Sequence, residues 1–376
     1  MESYLTAEIS ASAVKENLQL LRRHVGEGTR LCAVVKADCY GHCLNLLLPA
    51  LSEAADLLAV ATPEEAIHLR RLGYNGPILQ FFSACAYSDS THLRNALEEL
   101  VAHNVTLTVV SAPEVALVAQ AAKRVGVQPQ VHVKVDTGMG RSGAMWESVG
   151  ELAVQIRAEK AVRLTGLYTH LPTADERDKT FSLEQLRRFR QAVQAAGQRE
   201  SLTLHMANSA GTIDLPGTHL DMVRPGIAVY GYQPSDDMHN KLPLKPAMRL
   251  WGRLMQIKDV PAGSACGYGL THMFDCATRV GLVPIGYGDG YFRSLSNRAT
   301  MRVDGVDVPI CGRVSMDQII IDLSTVPQAR VGEVVEIMSS DPGAPHSVEN
   351  LARQAGTIPY EITCRLGRRV RRVLGP

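Results

Sequence analysis

Residues 57–82 read LLAVATPEEAIHLRRLGYNGPILQFF, and this stretch places a helical pattern between two apolar runs. The runs LLAVAT (57–62) and PILQFF (77–82) are short and apolar, as buried strands are. PEEAIHLRRLG (63–73) begins with Pro and closes with Gly, which is typical of the start and end of a helix. The stretch therefore predicts a strand–helix–strand unit.

The same unit recurs through the first 235 residues. Six further strand-like runs are LCAVVKA (31–37), VTLTVV (105–110), VHVKVDT (131–137), LTGLYTH (164–170), LTLHMAN (202–208) and MVRPGIAVYG (222–231). PEVALVAQAAKRVG (113–126) and SLEQLRRFRQAVQAAG (182–197) have the apolar spacing of helices, and Ser182 is expected to cap the second. Eight strands alternating with helices predict a parallel (β/α)8 barrel, with a doubly wound open sheet as the alternative.

Polar residues stand at or just after the C-terminal ends of most of these runs, and this placement favours the barrel. They are Lys36, Asp136, Arg141, His170, Asn208 and Ser209, while Arg224 lies within the eighth run. In a parallel barrel the C-terminal strand ends converge on one face, where active sites lie. Each residue alone could be a solvated loop position, but their joint placement predicts a site at that face.

The pattern changes after about residue 240, where Pro234, Pro243 and Pro246 mark a connection. Shorter alternating segments follow, with a helix predicted at SVENLARQAG (347–356): MRLWGRLMQIKDV (248–260), RVGLVPIG (279–286), TMRVDGVDVPICG (300–312), IIIDLS (319–324) and EVVEIM (333–338). The sequence thus predicts a barrel over residues 1–238 and a mostly-β domain over residues 239–376.

Composition excludes several function classes. The 376 residues carry a formal net charge of +1, so no broad electrostatic surface for nucleic acid is expected. No apolar run is long enough to span a bilayer, and MESYLTAEIS lacks a secretory pattern, so we expect a cytoplasmic protein without membrane contact. The eight cysteines are expected to be free thiols.

Asp38, Cys39, His42 and Cys43 form a cluster of residue types that can bind zinc. The cluster has no second Cys/His pair at ligand spacing, so we predict no metal site.

Lys36 is the first candidate for chemistry. It follows a run that looks buried, where an ammonium is costly unless it is paired or neutralised. A lysine in such a place can lose its proton and act as a nucleophile toward an aldehyde. The alternative is a lysine whose amine reaches solvent at a strand end, and this residue alone does not decide between them.

Successive motifs along the chain resemble those of the alanine racemase family. They are AVVKADCYGHC (33–43), HVKVDTGMGRSG (132–143), GLYTHLPTADE (166–176), HMANSAG (205–211), VRPGIAVYG (223–231), GYGLT (267–271), PIGYGDGY (284–291) and GRVSMDQ (312–318). One motif would be weak evidence, but this many in order, in both predicted domains, are specific. The family fold is a barrel that binds pyridoxal 5′-phosphate (PLP), followed by a β domain.

The resemblance implies a reaction that needs two bases, because racemisation removes a proton from one face of an α-carbon and returns one to the other. Lys36 would hold PLP covalently and serve as one base. Tyr268 of the partner subunit would be the other, since family members form head-to-tail homodimers with shared sites. Tyr268 could instead be an ordinary turn tyrosine between Gly267 and Gly269.

The resemblance also assigns the cofactor's contacts. The phosphate would lie near the loops after strands seven and eight, where barrels commonly bind phosphate, and would contact Tyr40, Asn208, Ser209, Gly226 and Ile227. Asn208 and Ser209 could equally be a helix cap.

Arg224 would face the pyridine nitrogen, with His170 as its hydrogen-bonding support. Because arginine keeps its proton, that nitrogen would stay unprotonated and the ring would withdraw electrons more weakly. A weaker electron sink argues against a decarboxylase or dehydratase of similar fold. A structural ion pair is the alternative for both residues.

The remaining roles concern the substrate. Arg141 would bind the PLP phenolic oxygen and face the substrate carboxylate, and Lys134 would be the lysine that family members often carry as a carbamate. Without the resemblance, Lys134 would be expected to pair with Asp136. Met316 and Tyr287 of the partner subunit would contact the substrate carboxylate and line the entrance, although a core methionine and a surface aromatic are the alternatives.

The resemblance as a whole implies PLP-dependent interconversion of L-alanine and D-alanine. A racemase for serine or a broader set of amino acids is one alternative, because Arg368 stands where many members have tyrosine. A PLP-binding regulatory protein is another, although such proteins generally lack the β domain and the second base.

Overall fold

In the computed structural model, residues 4–84 and 91–375 are described. The strands of the first part of the chain are β1 (Leu5–Ile9), β2 (Arg30–Val34), β3 (Leu57–Val60), β4 (Ile78–Ser83), β5 (Thr106–Val109), β6 (Gln130–Asp136), β7 (Ala144–Met145), β8 (Arg163–Tyr168), β9 (Thr203–His205) and β10 (Met222–Val223). Its helices are α1 (Ala11–Val25), α2 (Lys36–Tyr40), α3 (Leu44–Ala54), α4 (Pro63–Arg71), α5 (Thr91–Ala102), α6 (Ala112–Val125), α7 (Val149–Ala158), α8 (Thr180–Ala196) and α9 (Ser209–Asp214).

Eight of these strands close into a parallel barrel in the order β2, β3, β4, β5, β6, β8, β9, β10. The circle is completed where β10 pairs with β2 at Met222 and Arg30. The predicted barrel is confirmed, and all eight predicted runs contain a strand. The last run is helical after its first residues, because Pro225 has no N–H for the ladder and β10 ends at Val223.

Local sequence explains where the helices of the barrel begin. Thr62 caps α4 by accepting from the Glu65 N–H, and the Glu65 carboxylate accepts from the Thr62 N–H in return. The expected cap at Ser182 is wrong. Helix α8 begins at Thr180, and the buried Ser182 hydroxyl lies 3.2 Å from that of Thr173.

The second part of the chain is mostly β. Its elements are β11 (Met248–Arg253), β12 (Gln256–Val260), β13 (Ala265–Cys266), β14 (His272–Met273), β15 (Thr278–Val283), β16 (Thr300–Val303), β17 (Val306–Cys311), β18 (Ile319–Asp322), β19 (Val334–Met338) and β20 (Arg371–Leu374), with helices α10 (Val348–Ala355) and α11 (Pro359–Cys364). The sheet order is β12-β15-β18-β17-β16-β19-β11-β1-β20. It takes strands from both ends of the chain, because β1 pairs with β11 and β20.

The chain's last segment combines α11 with the edge strand β20. The helix at Pro359–Cys364 was not predicted, and it packs against α2 beside the barrel mouth. Among the described residues, every helix is too short or too polar to cross a lipid bilayer.

Candidate active site

A cavity of about 700 Å³ opens at the C-terminal ends of the barrel strands. Its lining residues are Val34, Lys36, Tyr40, Ala61, Phe81, Phe82, Ser83, Lys134, Arg141, Ser142, Tyr168, His170, Asn208, Ser209, Arg224, Gly226, Tyr360 and Cys364. The barrel thus brings together nine residues for which the sequence predicts a site role: Lys36, Tyr40, Lys134, Arg141, His170, Asn208, Ser209, Arg224 and Gly226. Ile227 is buried next to Gly226.

Lys36 lies just beyond β2 and is followed by a left-handed turn. Ala37, Asp38, Cys39 and Tyr40 all have φ between 52° and 57°. A left-handed conformation costs an L-residue about 1–2 kcal/mol, so four in succession need strong local support. The turn directs Tyr40 back into the cavity that Lys36 also lines.

Hydrogen bonds from three sides hold this turn. The Glu65 carboxylate, already engaged in the cap of α4, accepts from the Ala37 N–H at 2.7 Å. The Asp38 carboxylate accepts from the Leu44 N–H at 2.7 Å, and His42 Nδ1 donates to the carbonyls of Cys39 and Tyr40 at 3.0 Å each. Asp38 and His42 therefore have structural roles, and no group of three potential metal ligands occurs in the described parts of the chain.

Burial and neighbouring cations favour neutral amines in the cavity. Burial, followed by the charge of Arg141, lowers the pKa of Lys36. The same two causes, with a further contribution from Arg224, lower the pKa of Lys134 to about 8. A neutral amine is the nucleophilic form of lysine, so the lowered pKa values increase the fraction of each lysine that can react with an electrophilic carbon.

Arg224 is buried and held from below the cavity. Its Nη1 donates to His205 Nδ1 at 2.9 Å, and its Nη2 donates to the Thr169 carbonyl at 2.8 Å. Among the described residues, the histidine that hydrogen-bonds Arg224 is therefore His205 and not the expected His170. A guanidinium has five N–H groups, so these bonds leave donors for a ligand in the cavity.

The bond from Arg224 determines the tautomer of His205. Because Nδ1 accepts, the ring proton lies on Nε2, which donates to His132 Nδ1 at 2.9 Å. Burial, reinforced by Arg224, lowers the pKa of His205 well below its ordinary value, and burial lowers the pKa of His132 to about 3. Tyr168 stacks on His205 with ring centroids 4.8 Å apart. The two rings thus form a rigid, neutral support for the Arg224 guanidinium.

Another part of the cavity wall presents the hydroxyl groups of Ser209 and Tyr40 and the backbone of Gly226. The Ser209 hydroxyl accepts from the Gly226 N–H at 2.8 Å and from the Ala228 N–H at 3.3 Å. It also hydrogen-bonds the Tyr360 side chain, so both hydroxyl groups lie at this part of the cavity wall. A Cβ on Gly226 would overlap the Tyr40 hydroxyl, so this close approach requires glycine. Asn208 caps α9 by accepting from the Gly211 N–H at 2.9 Å, which agrees with the helix-cap alternative for this residue.

Arg141 and Lys134 line the cavity from the β6 side. The Asp136 carboxylate accepts from the N–H groups of Gly138 and Gly140 at 2.9 and 3.2 Å, which orders the loop that carries Arg141. Within the described residues, Asp136 is therefore a loop cap, and no ion pair joins it to Lys134.

Tyr268, Tyr287 and Met316 lie in the β domain and do not line this chain's cavity. Their side chains are 69%, 44% and 53% exposed. Gly267 and Gly269 have φ of 73° and 72°, and these left-handed glycines form the turn that presents Tyr268 to solvent. The Arg313 guanidinium lies against Gly269, so a positive charge is near this tyrosine's turn.

Sequence reasoning missed several site residues. His205 and Tyr168 lie inside motifs that were quoted without roles for them, at the ends of β9 and β8, so strand-end position was the available signal. Tyr360 and Cys364 project from α11, and nothing in the local pattern connects that helix with the barrel mouth. Arg368 is exposed and outside the cavity lining, whereas Tyr360 places a tyrosine inside it.

Comparisons with known proteins agree with this architecture. The alanine racemase N-terminal domain model matches residues 9–234, and the C-terminal domain model matches residues 247–374. An alanine racemase of Desulfovibrio desulfuricans is 38% identical over 371 residues, covering 98% of this chain and 97% of the relative.

Solved structures lead to the same family. The alanine racemase of a D-cycloserine-producing Streptomyces lavendulae superposes with a TM-score of 0.91 at 35% identity, covering 100% of this chain and 98% of that one. The Bacillus anthracis alanine racemase with bound L-Ala-P gives a TM-score of 0.88 at 28% identity, covering 100% and 96%. The chain therefore belongs to the alanine racemase family.

Proposed function

We propose that this protein interconverts L-alanine and D-alanine, with PLP attached covalently to Lys36. The observation that carries the proposal is that Lys36, a half-buried lysine with a lowered pKa, lines the same cavity as the buried guanidinium of Arg224. Family membership supports the same reaction.

The residues present fit PLP. The Ser209 hydroxyl, the glycine-dependent space beside Gly226 and the Tyr40 hydroxyl suit a phosphate. Arg224 lines the same cavity and would donate to the ring nitrogen of the cofactor. Lys36 supplies the amine that an aldehyde requires. The chemistry that PLP supplies is withdrawal of electrons from the α-carbon, which acidifies its C–H bond.

Arg224 directs that chemistry. As a permanent donor it would keep a facing ring nitrogen unprotonated, and its bonds to His205 and the Thr169 carbonyl hold it in place. The cofactor would then withdraw electrons more weakly, which would favour return of the proton to the α-carbon.

Lys36 holds and moves the proton on one face of the α-carbon. A second base on the other face is Tyr268 of the partner subunit, which we place in a head-to-tail homodimer. The exposure of Tyr268, Tyr287 and Met316 supports this arrangement, because none contributes to the cavity of its own chain. Leu270 and Met273, both 64% exposed near Tyr268, supply apolar surface for the contact.

The substrate carboxylate is bound from both chains. Arg141 faces it from the barrel, and the Met316 N–H of the partner subunit donates to it, while Tyr287 of the partner lines the entrance. Lys134 reacts with carbon dioxide as a neutral amine, forming an N–C bond and releasing one proton. The resulting carbamate anion orients Arg141.

The test is proton exchange in deuterated water. The PLP-loaded protein is incubated with L-alanine or L-serine, and loss of optical activity and deuterium incorporation at the α-carbon are followed together. We expect both signals with L-alanine, faster than with L-serine. The reverse order would identify a serine racemase, and absence of exchange with every amino acid would reject the racemase proposal.

A further inference from the structure

Three loops of the β domain meet around one arginine. Residues 286–290 carry Tyr287, residues 315–317 carry Met316, and residues 367–369 precede the last strand. We define these three loops as the tip cluster. Backbone bonds join the first two, since the Tyr287 N–H donates to the Ser315 carbonyl at 3.0 Å and the Gly288 N–H to the Met316 carbonyl at 2.9 Å.

The first two loops are closely packed where they meet. A Cβ on Gly286 would overlap the Ser315 carbonyl oxygen and the Met316 carbonyl carbon, so the backbones touch directly. The third loop is joined by the Gly367 N–H, which donates to the Asp289 carbonyl at 2.8 Å.

Arg369 bridges carboxylates from both of the other loops. Its Nε lies 2.8 Å from Asp289 Oδ1, and its Nη1 donates to Asp317 Oδ1 at 2.7 Å. The side chain of Asp289 is only 6% exposed, and its other oxygen accepts from the Gly286 N–H at 3.0 Å. The planar fork of arginine can serve two carboxylates at once, which a lysine ammonium does less well.

We propose that Arg369 is a positioning residue for the active site of the partner subunit. It links the loop of Tyr287 to the loop of Met316, and so determines where the Met316 N–H stands relative to the substrate carboxylate. This inference rests on the proposed function, because it requires that the tip cluster complete a site in the other chain.

The position of Arg369 allows two routes by which it could affect an active site. The same C-terminal segment begins with Tyr360 and Cys364, which line the cavity of their own chain. Arg369 could therefore act on its own barrel through α11 or on the partner's barrel through the tip cluster. Among the described residues, its side-chain bonds run to Asp289 and Asp317 of the other two loops, which favours the second route.

Disturbing the contact between the Met316 N–H and the substrate carboxylate should affect KM and kcat differently. The Met316 N–H binds a carboxylate that is present in ground state and transition state alike, so its displacement raises KM more than it lowers kcat. For Arg369→Ala we expect KM for L-alanine to rise by up to about tenfold, because the bridge is half exposed and each exposed charge pair contributes little. Arg369→Lys should lie between this variant and the original protein. A merely destabilised protein would instead lose kcat at unchanged KM.

Hybrid dimers test the direction of action. Chains with two different affinity tags are co-expressed, and sequential purification isolates PLP-loaded dimers of one Lys36→Ala chain and one Arg369→Ala chain. One site in this hybrid combines the intact barrel of the second chain with the intact tip cluster of the first. We expect KM at that site to return to the original value, with about half the kcat per dimer that two active sites give. A KM that stays raised in the hybrid would overturn the proposal.

Two matched hybrids separate this inference from the proposed function. A Tyr268→Phe chain paired with Lys36→Ala must regain activity if sites are shared, whereas Ser209→Ala must not be rescued, because Ser209 acts on its own barrel. Failure of the Tyr268→Phe hybrid rejects shared sites and the Arg369 role together. Failure of the Arg369→Ala hybrid alone rejects only the Arg369 role.

If Arg369→Ala does not fold, Asp317→Asn removes one arm of the bridge and leaves the buried Asp289 paired. We expect KM to rise in the same direction by a smaller factor, and to recover in a hybrid with Lys36→Ala. An unchanged KM in Asp317→Asn would overturn the proposal.

Discussion

The barrel mouth differs from the β-domain tip, which we define as the tip cluster together with residues 267–273. The two regions differ in how many of the contacts expected around an active site one chain supplies. At the mouth, Arg224 is buried and hydrogen-bonded to His205 and Thr169, and Lys36 sits on a turn held from three sides. At the tip, Tyr268 and Met316 are presented to solvent on tightly packed loops. Under the proposed dimer, the barrel half of the site is organised by its own fold, whereas the β-domain half reaches its final surroundings only against a second chain.

The largest effect should come from the mouth. Replacing Lys36 with Ala removes the attachment point and one base, so we expect racemisation to fall by more than about 10⁴-fold. The absorbance of covalently bound cofactor should disappear as well. Absorbance spectra and polarimetry on the same sample check both. Retention of the covalent absorbance would show that another residue holds the cofactor.

Tyr268→Phe tests whether the tip supplies only a proton-transfer group. We expect racemisation to fall by about 10²- to 10⁴-fold, the usual contribution of one positioned acid–base group. The cofactor absorbance should be unchanged, and α-deuterium exchange should persist for only one enantiomer, the one whose proton faces Lys36. Exchange followed by NMR, starting from L-alanine and from D-alanine, measures this. Normal racemisation by Tyr268→Phe would remove the two-base assignment.

The double change Leu270→Ser and Met273→Ser tests whether the exposed tip is covered in solution. Full burial of each apolar side chain stabilises a contact by about 1.5–3 kcal/mol, so we expect loss of both to raise the dimer dissociation constant by about 100-fold or more. Sedimentation velocity across a dilution series measures it. Val154→Ser, at an exposed apolar position on α7, is the control that should leave dissociation unchanged. Equal behaviour of the two variants would mean that the tip is not the interface.

The smallest effect concerns the charge near Arg141. Because the pKa of Lys134 is lowered to about 8, the amine is protonated below that pH and neutral above it. Carbamate forms only on the neutral amine, so restoring dissolved carbon dioxide to depleted enzyme should raise activity more at pH 9 than at pH 7. We expect a gain of about threefold, since a partly solvated charge pair contributes less than about 1 kcal/mol.

Racemisation assays at constant dissolved carbon dioxide check this dependence, with Lys134→Ala as the control that should show none. Equal gains at both pH values, or a gain in Lys134→Ala, would place the effect elsewhere.

The sequence by itself determined the barrel, because apolar runs, helix signals and turn residues recur with a regular period. It also brought out Lys36, Arg141 and Arg224, since a polar residue at the end of a buried run is unusual whatever the surroundings. The neighbours of Lys36 in sequence do not decide whether it is a nucleophile or a lysine that reaches solvent. Its pKa depends on burial and on charges such as Arg141, which come from another part of the barrel.

Only the tertiary structure decided which groups support these residues. His205, rather than His170, bonds Arg224, because ring orientation at the ends of neighbouring strands depends on barrel closure. Tyr360 enters the cavity because α11 packs on α2 from more than 300 residues away along the chain. The bridge from Arg369 to Asp289 and Asp317 joins three loops distant in sequence, and hydrogen-bond geometry of that kind follows from packing rather than from any local pattern.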